Sequence, residues 1–375
     1  MGALYSRCTP SSSRRGTSSN AGGGNGNGLK TTSSSRYASA SGIIPDSSSI
    51  SCLPLLHRDA VLGVCCVESN DGSTFVTASE DKTACLWSLS SGILQRFKGH
   101  ERPVNRVAYS RRSSLFVTGS RDTTVKVWRA ESSDAKATLT GHTLTVNGVA
   151  ASDSHDWIAS GSRDYTVRFW DPEAGRQTAG KKISRNLVTF LRAIPSENAV
   201  LQSSEDLQLR VWDVRTCSVT QSLTGHANIP RCCDVSPDGN YFLSSANGFE
   251  GAGCEGRVWD RRTGKQIATL TGHMFSSDGC CFLSPPGIQQ LLAATVSADK
   301  SVKLWDAMSG ACLDTASFTG DDSNDTPVVC VSSCDDDGTG GARLVAGNFE
   351  GSVKAWSVRP GSGGLSLSAT HATAT

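Results

Sequence analysis

The sequence lacks the spacings of a zinc site and lacks any long apolar run. Its 14 cysteines include no CxxC pair and no cysteine–histidine cluster, which excludes the common structural zinc modules. No apolar stretch approaches the ~20 residues that span a bilayer, and there is no secretory signal pattern. We therefore expect reduced thiols in a cytosolic protein without a bound metal.

Acidic residues are missing from the first 45 positions, although the whole chain is nearly neutral. That segment carries Arg7, Arg14, Arg15, Lys30 and Arg36 among many serines and glycines. The net charge is +1, so the rest of the chain is slightly acidic, and a general nucleic-acid-binding protein is disfavoured. The composition predicts a disordered basic tail over residues 1–50, a folded body over 51–371 and a C-terminal end at 372–375.

Tryptophan is scarce but regularly spaced. Seven of the eight tryptophans follow one another at intervals of 41 to 51 residues, at Trp87, Trp128, Trp170, Trp212, Trp259, Trp305 and Trp356. Similar phrases precede most of them, such as TGSRDTTVKVW and TVSADKSVKLWD, and Gly-His pairs end at His100, His142, His226 and His273. A period in the forties with this signature is typical of β-propeller blades, whose short strands alternate apolar and polar residues.

On these motifs the chain resembles the WD-repeat family, with seven blades over about residues 57–357. The resemblance implies an all-β, seven-bladed propeller in which four-stranded sheets pack radially around a channel. It also implies that histidine, a strand hydroxyl, a turn aspartate and tryptophan form a buried hydrogen-bonded chain. Four blades fit this pattern, with the sets His57/Thr77/Asp81/Trp87, His100/Thr118/Asp122/Trp128, His142/Ser160/Asp164/Trp170 and His273/Thr295/Asp299/Trp305.

The same repetition argues against catalysis. Histidine, aspartate and serine together suggest a hydrolase, but here the combination recurs once per blade, as a structural motif does. The pairs Cys65-Cys66, Cys232-Cys233 and Cys280-Cys281 fall on the predicted innermost strands, as does Cys330. Adjacent strand residues point to opposite faces, so these pairs are interpreted as packing rather than metal ligands. We expect no enzyme activity, cofactor or small-molecule substrate.

Three blades depart from the repeat. Blade 4 has KKISRNLVTF in place of Gly-His and Gln202 in place of a hydroxyl, and without the histidine no hydroxyl is needed to relay to Trp212. These departures indicate either a functional surface or ordinary decay of the blade. Blade 5 has a glycine-rich turn, NGFEGAGCEG, without the turn aspartate; it lacks the features of a phosphate loop and is a plausible contact loop. Blade 7 has Gly320-Asp321 and Glu350 at the motif positions, and its acidic loops lack calcium-binding spacing.

The fourth strand of blade 7 has two candidate sources. One is CLPLL at 52–56, before His57, and the other is GLSLSAT at 364–370. The spacing after Trp356 and the proline Pro54 in the first segment both favour the C-terminal one.

The rim that carries Gly-His and the turn aspartates, called the top face, is the predicted binding surface. Residues before the turn aspartate project there (Glu80, Arg121, Arg163, Glu205 and Ala298), joined by Arg102 and Arg185. We predict a basic arc from Arg102, Arg121, Arg163 and Arg185, and an acidic arc that includes Glu205, Glu250, Glu255, Asp321 and Asp322. The basic arc suits an acidic or phosphorylated peptide of a protein partner, and ordinary solvated arginines are the alternative.

The N-terminus matches the myristoylation pattern M-G-x-x-x-[ST] through Gly2 and Ser6. One acyl chain anchors a protein only marginally, and Cys8 is placed to carry a second, palmitoyl chain. Arg7, Arg14 and Arg15 add attraction to anionic lipid. The expected location is therefore the cytoplasmic face of a membrane, and the alternatives are an organellar transit peptide or plain disorder.

The resulting interpretation is a protein-interaction scaffold, held at a membrane, that recruits partners through the top face. A soluble adaptor, such as a ubiquitin-ligase substrate receptor, is the alternative. The phrases SRNLVT, LQSSEDLQLRVWD, ANGFEGAGCEGRVWD and FKGHERPVNRVA also resemble a narrower group of WD-repeat proteins, which implies an association with cilia and with membrane-protein trafficking.

Overall fold

The computed structural model describes residues 57–67, 73–183, 185–318, 326–334, 341–361 and 364–369. All regular elements in these ranges are β-strands, and they form seven antiparallel four-stranded sheets. The predicted all-β, seven-bladed propeller is confirmed. No helix long and apolar enough to cross a membrane occurs within the described ranges.

Each blade is one contiguous stretch of chain whose four strands pair in sequence order. Blades 1 to 4 contain β1 Val61–Val67, β2 Thr74–Ser79, β3 Ala84–Ser88, β4 Gly92–Phe97; β5 Val104–Ser110, β6 Leu115–Ser120, β7 Val125–Arg129, β8 Ala137–Leu139; β9 Val146–Ala151, β10 Ile158–Ser162, β11 Thr166–Asp171, β12 Arg176–Lys182; and β13 Val188–Ala193, β14 Ala199–Ser204, β15 Gln208–Asp213, β16 Ser218–Thr224. Blades 5 to 7 contain β17 Pro230–Val235, β18 Tyr241–Ala246, β19 Gly256–Asp260, β20 Gln266–Leu270; β21 Ser277–Leu283, β22 Leu292–Ser297, β23 Ser301–Asp306, β24 Cys312–Ser317; and β25 Val328–Cys334, β26 Ala342–Asn348, β27 Val353–Gly361, β28 Gly364–Ala369.

The core lies between neighbouring blades. The tryptophan on the third strand of a blade packs against the blade before it, as Trp128 does against Val76, Ala78 and Phe97 of blade 1. All seven repeat tryptophans are buried. Because each fills an interblade space, replacing one with alanine is expected to cost about 3–5 kcal/mol.

Glycines on the second strands allow the blades to approach closely. A Cβ atom on Gly119 would lie 2.7 Å from Cγ1 of Val146, on the inner strand of blade 3. Gly347 of blade 7 has the same relation to Val61 of blade 1, at 2.6 Å. A side chain at either position would therefore push neighbouring blades apart.

The C-terminal segment completes blade 7. The strand Gly364–Ala369 pairs antiparallel with Val353–Gly361, with Trp356 opposite Ala369 and Val358 opposite Leu367. The preference for the C-terminal segment over 52–56 is confirmed. Residues 52–56 lie outside the described ranges.

Candidate functional site on the top face

Blade 2 carries the full hydrogen-bonded chain. Nε1 of Trp128 donates to Oγ1 of Thr118 at 2.8 Å, Thr118 bonds Nε2 of His100 at 2.8 Å, and Nδ1 of His100 lies 2.8 Å from Oδ2 of Asp122. These side chains satisfy one another inside the blade.

Blade 3 repeats the chain with a serine in place of the threonine. Nε1 of Trp170 donates to Oγ of Ser160 at 2.8 Å, and the same oxygen lies 2.8 Å from Nε2 of His142. Nδ1 of His142 is 2.9 Å from Oδ2 of Asp164. The predicted set is therefore present with all its links.

Blade 6 repeats the chain again with a threonine. Nε1 of Trp305 donates to Oγ1 of Thr295 at 2.8 Å, and Thr295 bonds Nε2 of His273 at 2.8 Å. Nδ1 of His273 lies 2.9 Å from Oδ2 of Asp299. Blades 2, 3 and 6 thus share one arrangement.

The strand hydroxyls of these sets are not part of the exposed top face. Ser160 and Thr295 are 0% exposed, as are Thr77 and Thr118 in blades 1 and 2. The four hydroxyls lie in the interior of the blades, where the buried hydrogen-bonded chain implied by the resemblance places them. The physical reason is that each hydroxyl must lie on the second strand, beneath the rim, to reach its histidine and, except in blade 1, its tryptophan.

The turn aspartates of these sets are held ionised. Burial raises the pKa of the Asp122 carboxyl, but hydrogen bonds from His100 and Thr124 outweigh burial and bring the pKa below its usual range. Asp81, Asp164 and Asp299 behave in the same way, each through its histidine and a neighbouring hydroxyl. The turn aspartates therefore act as fixed acceptors that orient the histidines and the turns.

Blade 1 lacks one link of the predicted set. His57 bonds Asp81 at 2.9 Å and Thr77 at 2.8 Å. Oγ1 of Thr77, however, donates to the carbonyl oxygen of Cys85, and Nε1 of Trp87 has no hydrogen-bond partner among the described residues. In this blade the tryptophan contributes packing, stacked on Phe75 with ring centroids 5.4 Å apart.

Blade 4 replaces the chain rather than losing it. Nε1 of Trp212 donates to Oε1 of Gln202 at 2.6 Å, and Nε2 of Gln202 donates to Oδ1 of Asn186. Arg210 then donates to the same Asn186 oxygen at 3.1 Å and pairs with Asp206. The acceptor of the Trp212 N–H among the described residues is therefore the longer amide of Gln202 and not a hydroxyl.

Blade 5 keeps the histidine but lacks the aspartate. Nε2 of His226 bonds Oγ of Ser244 at 2.7 Å, and Trp259 donates to the same oxygen at 2.9 Å. Nδ1 of His226 finds no partner in the described part of the chain. Burial, followed by the nearby charge of Arg257, lowers the pKa of His226 to about 4, so this histidine is neutral at physiological pH.

The paired cysteines lie on the inner strands of blades 1, 5 and 6, as expected. These strands and those of the other blades enclose a cavity of about 840 Å³ at the propeller axis, lined by Cys65, Cys66, Cys233, Cys280 and Cys281 among others. Burial raises the pKa of Cys65, and it raises that of Cys330 to about 12. Within the described ranges no group of three or more histidine, cysteine or acidic side chains is arranged to hold a metal ion.

A single rim position recurs in every blade just before the motif turn. Its backbone N–H donates to a carbonyl oxygen that precedes or begins the inner strand, at 2.8 to 3.3 Å, in Glu80, Arg121, Arg163, Glu205, Asn247, Ala298 and Phe349. The five residues predicted to project here therefore do share one place on the top face. Asn247 and Phe349 complete the series in blades 5 and 7.

The predicted arcs are partly neutralised between blades. Nη1 of Arg121 lies 2.9 Å from Oε1 of Glu80, and Nη2 of Arg163 lies 3.6 Å from Oε1 of Glu205. The clean division into a basic arc and an acidic arc is therefore corrected, because glutamates of adjacent blades pair with these arginines. Arg102 and Arg185 are exposed, and neither has an ion pair among the described residues.

On the acidic side, Glu250 is exposed at the tip of the blade 5 loop, whereas Glu255 is half-buried and pairs with Arg257 at 3.0 Å. Asp321 and Asp322 lie outside the described ranges, as do the candidate lipidation positions Gly2 and Cys8. Their assignments stay predictions.

Sequence reasoning missed an exposed apolar group on the top face. Phe249 in the blade 5 loop lies beside Met274 and Phe275, which follow His273 in blade 6. The available signal was the phrase GHMF, which places two large apolar residues where blade 2 has Glu-Arg after its histidine.

The comparisons with known proteins find short matches to curated relatives. The Ribosome biogenesis protein WDR12 homolog of Drosophila persimilis is 44% identical over 71 residues, 18% of this chain and 17% of that protein. That of Drosophila erecta is 46% identical over 66 residues, 16% of each. Autophagy-related protein 16 of Arabidopsis thaliana is 27% identical over 104 residues, 28% of this chain and 18% of that protein. The chain thus spans less than a fifth of the length of these relatives.

The WD40 family (WD domain, G-beta repeat) matches five segments, at residues 48–88, 91–129, 134–171, 217–260 and 264–306. The unmatched stretches contain most of blade 4 and all of blade 7, two blades whose motif residues depart from the repeat. Because the matched segments cover more than half of the chain and the seven-bladed architecture agrees with them, the protein belongs to the WD40 repeat family.

Proposed function

We propose that the protein is a non-enzymatic scaffold that recruits protein partners through the top face of its propeller. WD40 propellers commonly bind proteins. The side chains that resemble catalytic groups are hydrogen-bonded to one another inside the blades, as in blade 2. The observation that carries the proposal is the pair Arg102 and Arg185, exposed on blades 2 and 4 without an ion pair among the described residues.

The chemistry of these two arginines defines the expected partner. A guanidinium group presents a planar fork that pairs bidentately with a carboxylate or phosphate. Arg121 and Arg163 lie on the same rim but are already engaged by glutamates, so they contribute less to binding. The partner is accordingly an acidic or phosphorylated peptide segment.

An array of acidic, phosphoserine-containing and neutral peptides tests this proposal. The variant Arg102→Glu/Arg185→Glu is compared with wild type and with Arg112→Glu, whose arginine is exposed in the loop between β5 and β6 on the opposite rim. We expect the double variant to bind acidic and phosphorylated peptides with an affinity lower by about tenfold or more, and the control variant to bind them with the wild-type affinity. Equal binding by all three proteins would contradict the proposal.

We further propose that the scaffold is held at a membrane by acylation of Gly2 and Cys8. Support comes from the N-terminal motif, the adjacent arginines and the need of one acyl chain for a second signal. Mass spectrometry of the N-terminal peptide and vesicle flotation of wild type against Gly2→Ala form the test. An unmodified or acetylated N-terminus would defeat this part while leaving the peptide-binding proposal intact.

The finer placement in cilia and membrane-protein trafficking rests on the resemblance of the blade 2, 4 and 5 phrases to WD repeat-containing protein 31. A soluble adaptor, such as a ubiquitin-ligase substrate receptor, is the second candidate. It is supported by the phrases Val211-Trp212-Asp213-Val214-Arg215 and Trp259-Asp260-Arg261-Arg262, which end in the exposed arginines Arg215 and Arg262, whereas most other blades lack this terminal arginine. Lipid labelling separates the two candidates.

A further inference from the structure

The glycine-rich loop of blade 5 is an ordered hairpin. Phe249 and Ala252 exchange backbone hydrogen bonds at 3.2 and 3.0 Å, which closes a two-residue turn. The turn residues Glu250 and Gly251 have φ values of 51° and 80°, as a type I′ turn requires. The loop therefore holds one conformation by its own backbone pairing.

Blade 6 anchors this hairpin. The N–H of Gly251 donates to the carbonyl oxygen of Met274 at 3.0 Å, and Phe249 bridges to Phe275 in an antiparallel pair. At the base of the loop, Ser276 bonds the side chain of Asn247. Because the loop is fixed before any partner arrives, binding to it costs little conformational entropy.

The fixed hairpin displays an aromatic patch formed by Phe249, Met274 and Phe275. Their side chains are 64%, 54% and 39% exposed. The two rings lie 5.5 Å apart with their planes at 55°. Clustered, rigid aromatic side chains of this kind are typical anchors of protein interfaces.

The charge beside the patch selects the occupant. Glu250 stands at the hairpin tip, exposed and without an ion pair among the described residues. A carboxylate at this position opposes insertion of the tip into an anionic membrane. It is complementary to a lysine or arginine that follows an apolar residue in a bound peptide.

We propose that the aromatic patch binds a bulky apolar side chain of a partner peptide and that Glu250 pairs with a basic residue next to it. This inference rests on the proposed scaffold function and defines one end of the bound segment. The acidic or phosphorylated end lies toward Arg102 and Arg185, and the apolar-basic end lies over blades 5 and 6. The partner is thus a bipolar linear segment.

A phage-displayed library of random linear peptides tests the assignment. Wild-type protein is panned, and each selected peptide is then measured by fluorescence anisotropy against Phe249→Ser/Phe275→Ser and against the control Leu94→Ser, which removes an exposed apolar side chain from the outer strand of blade 1. Because the replaced side chains are exposed, unchanged thermal unfolding verifies that the variants fold.

We expect selected peptides to share a bulky apolar residue beside lysine or arginine, and to bind the double serine variant about tenfold or more weakly with Leu94→Ser unaffected. Glu250→Lys is expected to weaken the same peptides more than Glu250→Gln does. Peptides that depend on Arg102 and Arg185 but not on the patch would overturn the inference and leave the scaffold function standing. Peptides that depend on neither surface, or no enriched peptides, would contradict both.

Discussion

The indole nitrogen of Trp212 donates its hydrogen bond to the amide oxygen of Gln202, 2.6 Å away, where four other blades offer a serine or threonine hydroxyl to the equivalent tryptophan. Gln202 is itself fixed by Asn186, which takes the place of the missing histidine. In blade 4 an amide thus supplies the acceptor for the buried tryptophan N–H, although the sequence motif is absent.

Removing that acceptor is expected to destabilise the propeller. Gln202→Leu has a similar size but leaves the N–H of Trp212 unpaired and frees Asn186, so we expect a loss of about 2–4 kcal/mol in the free energy of unfolding. In a double-mutant cycle with Trp212→Phe, the double variant should lose about 1 kcal/mol less stability than the sum of the losses in the two single variants. Urea unfolding of the four proteins measures this, and strict additivity would rule out the coupling.

The repeat tryptophans are not energetically equivalent. Trp128→Phe removes indole volume and the 2.8 Å hydrogen bond to Thr118, whereas Trp87→Phe removes volume alone. We expect Trp128→Phe to be the more destabilising by about 1 kcal/mol. Both side chains are fully buried, so each variant serves as the control of the other in urea unfolding. Equal losses would show that the hydrogen bond adds nothing.

Because of His226 in blade 5, the free energy of unfolding is expected to decrease in mildly acidic solution. His226 has a pKa of about 4 when folded and about 6.5 when unfolded, so the unfolded chain binds the extra proton between these values. Stability is complete above about pH 6.5 and is lost as the pH falls toward 4, by up to about 3 kcal/mol. His226→Gln should show a shallower decline of the unfolding midpoint over this window, and an unchanged slope would exclude His226 as its cause.

A second loss of stability is expected at lower pH. The carboxyls of Asp81, Asp122, Asp164 and Asp299 have folded pKa values below the unfolded value of about 3.9. Their contribution to the free energy of unfolding is complete well above that value and is lost as the pH falls from it toward the lower folded pKa values. In Asp122→Asn we expect a smaller loss of stability at this lower pH and an unchanged loss of stability between about pH 6.5 and 4, where His226 titrates. An identical acid profile for wild type and Asp122→Asn would contradict the assignment.

The position of the aromatic patch depends on Gly248. A Cβ atom there would collide with the backbone nitrogen of Cys254 and lie 2.5 Å from the carbonyl oxygen of Ala252, so Gly248→Ala must displace the hairpin. We expect faster amide hydrogen exchange over residues 247–255 and weaker binding of patch-dependent peptides. Gly287→Ala is the control, because a Cβ atom at that glycine meets open space and adds only the backbone strain of its positive φ. Unchanged exchange in Gly248→Ala would mean that the loop adapts.

The features that follow from the repeat within a single blade could be predicted from the sequence. The tryptophan period predicts the number of blades, and the four-residue offset between Thr118 and Asp122 predicts that both face His100. The contacts it could not predict join residues from different blades or from irregular turns. Arg121 meets Glu80 only because adjacent blades are rotated around one axis, and Phe249 meets Phe275 only after a type I′ hairpin has formed.

Blade 4 shows why substitutions inside a motif are hard to interpret singly. Considered alone, Gln202 indicates only that the strand hydroxyl has been lost, and Asn186 is interpreted as an ordinary residue of a loop. Their joint role becomes visible only when side-chain length is considered, since the longer glutamine reaches both Trp212 and Asn186 from one strand position.

Every blade, including the seventh, is built from one uninterrupted stretch of chain. The joint between blades 7 and 1 consequently includes side-chain contacts such as that of Cys330 Sγ with the carbonyl oxygen of Val61 at 3.5 Å, across 269 positions of sequence. Such a ring has interchangeable starting points, so a circular permutant that begins between any two blades would preserve all seven sheets.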